Sequence, residues 1–306
     1  MGRADFVTYQ NNQFKLNENS EFKQMEAKFT FGNLRIYMLK ANETFLKPNR
    51  GIGNYTSLQD AIRLKKIVIT ELAGGSVNTL EVQNISKDTI MILAGEIVTG
   101  GKQDRVIGQD IIIPPKSKKL QVSVFCVEHG RWSQNGSGNQ FDGYYGVSSN
   151  AVRKKAVVEK DQSAVWDKVA DMNKKNKTET STGTYTQLHT SEVLSKELPK
   201  YKAHFESLMA SDSGYIGFVA VTGDTIISCD LFATNRLFKK SAPMLLKSVA
   251  VEAITNGAKV TIAAATVLKF LSEFMKDETT QEETVKSNGT MLMQNGKKIH
   301  LNYYKK

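Results

Sequence analysis

Between Asn33 and Glu128 the chain is a succession of short apolar segments punctuated by glycine, proline, serine, asparagine and aspartate. Such punctuation leaves little room for helix and favours strands joined by short turns. "NLRIYMLKA" from Asn33 alternates, with Leu34, Ile36 and Met38 on one face. "SLQDAIRLKK" opens with a capping serine at Ser57 and predicts a short helix. "IVITEL" from Ile67, the turn "AGGSVN" and "TLEVQN" from Thr79 follow. "TIMILAGEIV" is apolar on both faces and reads as one central strand. "DIIIPPKSKKLQVSVFCVE" gives two strands broken at Pro114-Pro115, where a ladder cannot continue. The pattern predicts an antiparallel β-sandwich or a barrel-like N-terminal half.

After Trp132 the character changes. "SQNGSGNQFDGYYGVSSN" reads as a long surface loop. Val165, Trp166, Val169 and Met172 then share a helical face, as do Leu194, Leu198, Tyr201, Phe205 and Leu208. Pro199 is expected to kink the second helix or start it afresh, and Pro243 to lie near the start of a third helix. Gly223-Asp224 and Asn295-Gly296 mark hairpins. The expected fold is therefore α+β: a β-rich region over 1–146 carrying a polar motif, then an α+β region over 147–306 with hairpins and amphipathic helices. The two are either separate or packed into one continuous domain.

The chain has 306 residues, 40% of them hydrophobic, enough for a sizeable core. Its two cysteines, Cys126 and Cys229, give neither a disulfide framework nor metal spacing. No apolar run approaches the roughly 20 residues of a membrane-spanning helix, and "MGRADFVTYQNNQ" lacks a secretory apolar segment. The default location is cytoplasmic, with export open if a leader has been removed. The net charge of +10 is densest from Arg153 to Lys177, where lysines alternate with Glu159, Asp161, Asp167 and Asp171. That is the pattern of a solvated helix face, and nucleic acid is not the expected partner.

The informative stretch is "ILAGEIVTGGKQDRVIG", which sets Glu96, Gln103, Asp104 and Arg105 around a glycine pair beside a strongly apolar strand. If Gly100-Gly101 is a two-residue turn, Glu96 faces Arg105 with Gln103 one step away on the same side. This arrangement is either an ion pair fixing the register or a rigid grip for phosphate, carboxylate or a base edge. In "FCVEHGRW", Cys126 sits among valines as a core thiol, and Glu128, Arg131 and Trp132 stand where the strand leaves the sheet. They form a rim salt bridge with an anchoring indole, or binding groups. The loop beyond, with Phe141, Tyr144 and Tyr145, is a lid or a connector. In "CDLFATNR", Asp230 ends a strand and Asn235-Arg236 precede a helix, offering polar groups outward or simply capping the helix. The usual phosphate-loop, dinucleotide, serine-elbow and zinc signatures are missing. The four histidines, His129, His189, His204 and His300, have no ligand spacing. The sequence gives no zinc spacing and leaves the cofactor unknown, with two-carboxylate or carboxylate–metal chemistry through Glu96 and Glu128 open.

The run "LEVQNISKDTIMILAGEIVTGGKQDRVIG", followed by "IIIPPKSKKLQVSVFCVEHGRW", resembles the ARG and rhodanese-phosphatase-superfamily-associated protein domain, ARG standing for ADP-ribosylglycohydrolase. Gly95-Glu96, Gly100-Gly101, Gln103, Arg105 and Cys126 through Trp132 carry the likeness, with "VWDKV" and "CDLF" further on. The resemblance implies a role around ADP-ribose, NAD or a related phosphorylated metabolite. On that expectation Arg105 and Arg131 bind anions, Gln103 orients the ligand, and Glu96 or Glu128 is the general acid/base. The alternative is a non-enzymatic interaction module whose polar residues only staple the sheet. Protein partners are not indicated.

Overall fold

The computed structural model describes residues 7–10, 13–16, 26–73, 76–133 and 138–305. Most of the opening stretch read for a secretory segment, the glycine pair at 74–75 and positions 134–137 of the expected loop lie outside the described residues. The chain packs into two compact units, one formed by Met1–Gly53 with Glu197–Lys306 and the other by Asn54–Lys196. No described helix is long and apolar enough to cross a membrane.

The first unit begins with β1 (Val7–Gln10), β2 (Gln13–Leu16), β3 (Thr30–Phe31), β4 (Leu34–Ala41) and helix α1 (Glu43–Asn49). The second unit follows with β5 (Thr56–Ser57), α2 (Leu58–Arg63), β6 (Ile67–Glu71), β7 (Thr79–Asn84), β8 (Ile90–Ile92) and β9 (Glu96–Gly100). It continues through β10 (Arg105–Ile107), β11 (Ile111–Ile113), β12 (Leu120–Cys126) and β13 (Phe141–Val147). Helix α3 (Asn150–Lys154) widens into a π turn (Lys155–Glu159) before α4 (Gln162–Asn176). Six strands form a sheet in the order β13-β9-β10-β12-β7-β6, and β11-β8-β5 form a three-stranded sheet. The larger sheet curls until its two edges meet: Thr70 bridges Gln140, and the Glu71 amide donates to the Asn139 carbonyl at 2.9 Å. Closure protects strand edges that would otherwise invite pairing with another chain. Leu80, Val82, Val98, Ile107, Val122 and Val124 fill the interior of this barrel-like unit.

Two expectations are corrected here. "TIMILAGEIV" is not one strand, because β8 and β9 belong to different sheets. The break falls at Gly95, whose φ of +94° suits glycine alone. A side chain there would also run into Arg153, whose Cγ would lie only 2.7 Å from the added Cβ. The long loop after Trp132 contains β13, which pairs with β9 from Phe141↔Gly100 to Val147↔Glu96. Its glycines conceal a strand whose irregular register absorbs two bulges. The expected boundary between 146 and 147 therefore falls inside a strand of the second unit.

The chain returns to the first unit within α5 (Glu192–Met209), then forms β14 (Tyr215–Thr222), β15 (Thr225–Phe232), α6 (Asn235–Thr255), α7 (Ala264–Phe274), α8 (Glu278–Asn288), β16 (Gly289–Gln294) and β17 (Lys297–Tyr303). The first unit's sheet runs β16-β17-β15-β14-β4-β1-β2, with β3 added to β4. Phe218 and Phe232 pack on Phe238 of α6 with centroids 6.3 Å away. On the opposite pleat, Phe270 and Phe274 of α7 stack on Tyr303. Both hairpins form as expected, with Thr222↔Thr225 and Gln294↔Lys297 closing two-residue turns. Pro199 lies inside an unbroken α5. Pro243 sits in the middle of α6, because Thr234 caps that helix earlier, accepting the Leu237 amide at 3.3 Å. The architecture is α+β, with antiparallel pairing dominant, as the sequence predicts.

Candidate functional site

The polar motif gathers in the second unit where β9 and β12 end and β10 begins. The observed register sets Arg105 opposite Val98 and Val106 opposite Ile97. The tight Gly100-Gly101 turn and the Glu96–Arg105 pair are therefore not formed, and the connection spans Thr99 to Asp104. Its amides explain why a wide loop is stable. The Gly100 amide donates to Asp104 Oδ1 at 3.3 Å, the Gly101 amide to the Gln140 carbonyl at 2.9 Å, and the Lys102 amide to Glu71 Oε1 at 3.0 Å. Gly101, at φ +50°, has Phe141 and Glu71 so close that a Cβ would clash with both.

Arg105 is fully buried. Its Nη1 donates to the Gln103 carbonyl at 2.9 Å and to Gln103 Oε1 at 3.3 Å, and Nη2 reaches Glu71 Oε1 at 3.5 Å. Arg105 Nε and Glu71 Oε2 have no hydrogen-bond partner among the described residues. Gln103 Nε2 donates to the His129 carbonyl at 3.4 Å. Arg131 is more completely engaged. Its Nε donates to Glu128 Oε2 at 2.8 Å, and its Nη1 to the carbonyls of Gly101 and Ser133 at 2.9 and 3.0 Å. Its Nη2 lies 2.6 Å from Glu128 Oε2 and 3.5 Å from Asp104 Oδ1. Arg131 thus clamps the glycine loop to the strand exit. Glu128 completes the clamp by accepting the Asp104 amide at 3.2 Å.

Asp104 Oδ2 accepts the hydroxyls of Thr184 and Thr186, each at 3.1 Å. Burial, reinforced by the nearby Glu128 carboxylate, raises its pKa above the ordinary aspartate value. Glu96 points elsewhere: its Oε2 accepts the Leu93 amide at 2.7 Å and its Oε1 the Tyr144 hydroxyl at 2.8 Å. Burial lifts Glu96 to about 7, against the pull of these two bonds. Tyr144 is consequently a structural donor rather than part of a lid, and Phe141 is buried. Tyr145 packs edge-on against Tyr185 at 5.8 Å.

Cys126 is buried as a core thiol, and desolvation pushes it up to about 11, far from nucleophilic at neutral pH. Its backbone is completed by Gln162, which accepts its amide at 2.8 Å and donates to its carbonyl at 2.9 Å. Trp132 is 52% exposed, so it is not an anchoring indole. The Lys102 ammonium lies 5.1 Å from the centroid of its ring. The lysine-rich stretch divides into α3, the π turn and α4. Its Arg153 is not solvated; it is buried and donates to the Ala94 carbonyl at 2.9 Å.

Asp230 belongs to the first unit and is fully buried within β15, where Asn302 is its register partner. Its Oδ1 accepts Asn302 Nδ2 at 3.0 Å and lies 3.2 Å from His300 Nε2. The expected outward presentation is not found: the carboxylate is buried and held by Asn302 and His300 of the neighbouring strand β17. Asn235 instead ties the loop, donating to the carbonyls of Asp212 and Tyr215.

Sequence reasoning does not single out Glu71, Thr184 or Thr186, and it places Tyr144 in a loop. Glu71 is findable, since it stands in phase with Ile67 and Ile69 on the buried face of β6. Among the described residues, no group of three or more His, Cys, Asp or Glu side chains is arranged to hold a metal ion.

These features define an α+β protein whose central polar motif braces a nearly closed antiparallel sheet. The chain belongs to the ARPP-1 family, the ARG and Rhodanese-Phosphatase-superfamily-associated Protein domain, whose model matches residues 23–304. No curated protein and no solved structure matches the chain.

Proposed function

We propose that this chain is a non-catalytic interaction module acting beside ADP-ribosylglycohydrolase-type or rhodanese-phosphatase-type enzymes, with its family motif serving as an internal brace. The association follows the family's name. The observation that carries the structural role is the engagement of both candidate anion-binding arginines by the protein's own carboxylates and carbonyls. A guanidinium so engaged would have to abandon these partners to meet a ligand. The reading predicts that Arg105→Met costs about 3–5 kcal/mol, the range for stripping one partner from a buried ion pair. It also predicts that ADP-ribose, NAD and nucleotides leave the melting temperature of the wild-type protein unchanged. Saturable binding of any of them in calorimetry, abolished by Arg131→Gln in a folded protein, would overturn it.

One observation favours a second reading, in which the module binds an ADP-ribose-like ligand. The exposed Trp132 ring carries the Lys102 ammonium nearby, a pairing that offers a base a stacking surface and a phosphate a cation. Gln103, Asp104 and Arg131 would then support the site from beneath. An enzymatic form would rely on Glu96 or Glu128, which Tyr144 and Arg131 respectively cover. Trp132→Ala separates the readings: under the second the wild type binds the ligand and the variant does not, whereas under the first neither binds and stability is unchanged.

A further inference from the structure

Three connections converge at one end of the second unit's barrel. They follow α2 (64–66), join β7 to β8 (85–89) and join β11 to β12 (114–119). Backbone hydrogen bonds tie them together: the Ile85 amide donates to the Lys66 carbonyl at 3.0 Å, and the Lys116 amide to the Ser86 carbonyl at 2.9 Å. Ser117 Oγ accepts the Asn84 amide at 3.1 Å, fixing the third connection to the end of β7.

The surface they make is both basic and greasy. Lys65, Lys87, Lys116 and Lys118 are exposed, and none forms an ion pair among the described residues, whereas Lys66 pairs with Asp88 and Lys119 with Glu81. Leu64 and Ile85 are 46% and 51% exposed, two of the five large hydrophobic side chains left exposed among the described residues. Lys65 and Lys116 also hold φ values of +52° and +47°. Glycine adopts that conformation without strain, yet these positions keep a charged side chain.

We infer that this end of the barrel docks peripherally on a bilayer containing anionic lipid. Lysines flanking exposed aliphatic side chains match that surface: the ammonium groups meet the negative headgroup layer and the hydrocarbon enters its boundary. A nucleic-acid surface would instead want guanidinium groups and stacking rings. The three connections contain no aromatic residue, and the neighbouring Arg63 is paired with Asp60.

The test is co-sedimentation of the full chain with phosphatidylcholine vesicles, with and without phosphatidylserine. Binding is expected only to the anionic vesicles and should weaken as salt rises. Lys65→Gly and Lys116→Gly should each lower partitioning roughly fivefold, the equivalent of about 1 kcal/mol per lysine near such a surface, while the melting temperature holds or rises. Lys160→Gly relieves the same left-handed strain at φ +52°. It lies close to Gln162, at the Cys126 end of β12 and away from these connections, so it should leave partitioning unchanged. Leu64→Ser with Ile85→Ser should weaken binding without altering its salt dependence. Failure of the wild-type chain to bind anionic vesicles would overturn the inference. Equal binding to duplex DNA that ignores the aliphatic substitutions would overturn it as well.

Discussion

Glu96 shows how one buried carboxyl couples this protein to pH. Its folded pKa of about 7 stands above the ordinary 4.5, so the native state keeps a proton that the unfolded chain has already released across that window. Stability from this group is fully present below about 4.5 and is lost as pH rises through about 7. The change amounts to about 3 kcal/mol at ~1.4 kcal/mol per unit. Asp104, also raised, adds in the same direction. Glu96→Gln mimics the protonated form, so its urea midpoint should vary less between about pH 4 and about pH 8, which bracket the window, than that of the wild type. Equal pH dependence in the two proteins would contradict this account.

Among the elements, the glycine connection between β9 and β10 is the most constrained. Gly101→Ala meets both a left-handed φ and contacts with Phe141 and Glu71. It should cost about 2 kcal/mol or more, read as a lower denaturation midpoint. β4, buried on both faces, and the cleanly alternating β6 and β7 are legible in the sequence, as are both two-residue hairpins. The register of β9 on β10 is not, because nothing local reveals that Glu71 and Gln140, from other segments, satisfy the amides of a longer loop. β13 escapes because its glycines and polar residues imitate a loop, while its partners lie in the already buried β9. Arg105 and Arg131 stand out from the sequence as unusual. Their engagement by internal acceptors depends on where Glu71, Glu128 and the glycine carbonyls arrive, which is a tertiary fact. Asp230 is misread for the same reason, since β17 comes from the far end of the chain.

At the scale of the whole molecule, two compact units with their own sheets predict departure from two-state unfolding. Scanning calorimetry should resolve two transitions, with Arg105→Met lowering one and Asp230→Asn the other; a single transition lowered by both substitutions would refute this. The pairing of β4 with β14, through contacts such as Tyr37↔Val219, carries a consequence for synthesis. These strands flank the entire second unit in the chain, so on the ribosome β4 emerges long before the partner that will cover its edge. At ~5–20 residues per second the wait is roughly 10–35 s. Meanwhile the second unit gains every strand of its barrel before β14 is translated. The nascent protein is therefore most exposed to mispairing along β4, and holding that strand apart until β14 arrives is the task a chaperone would perform.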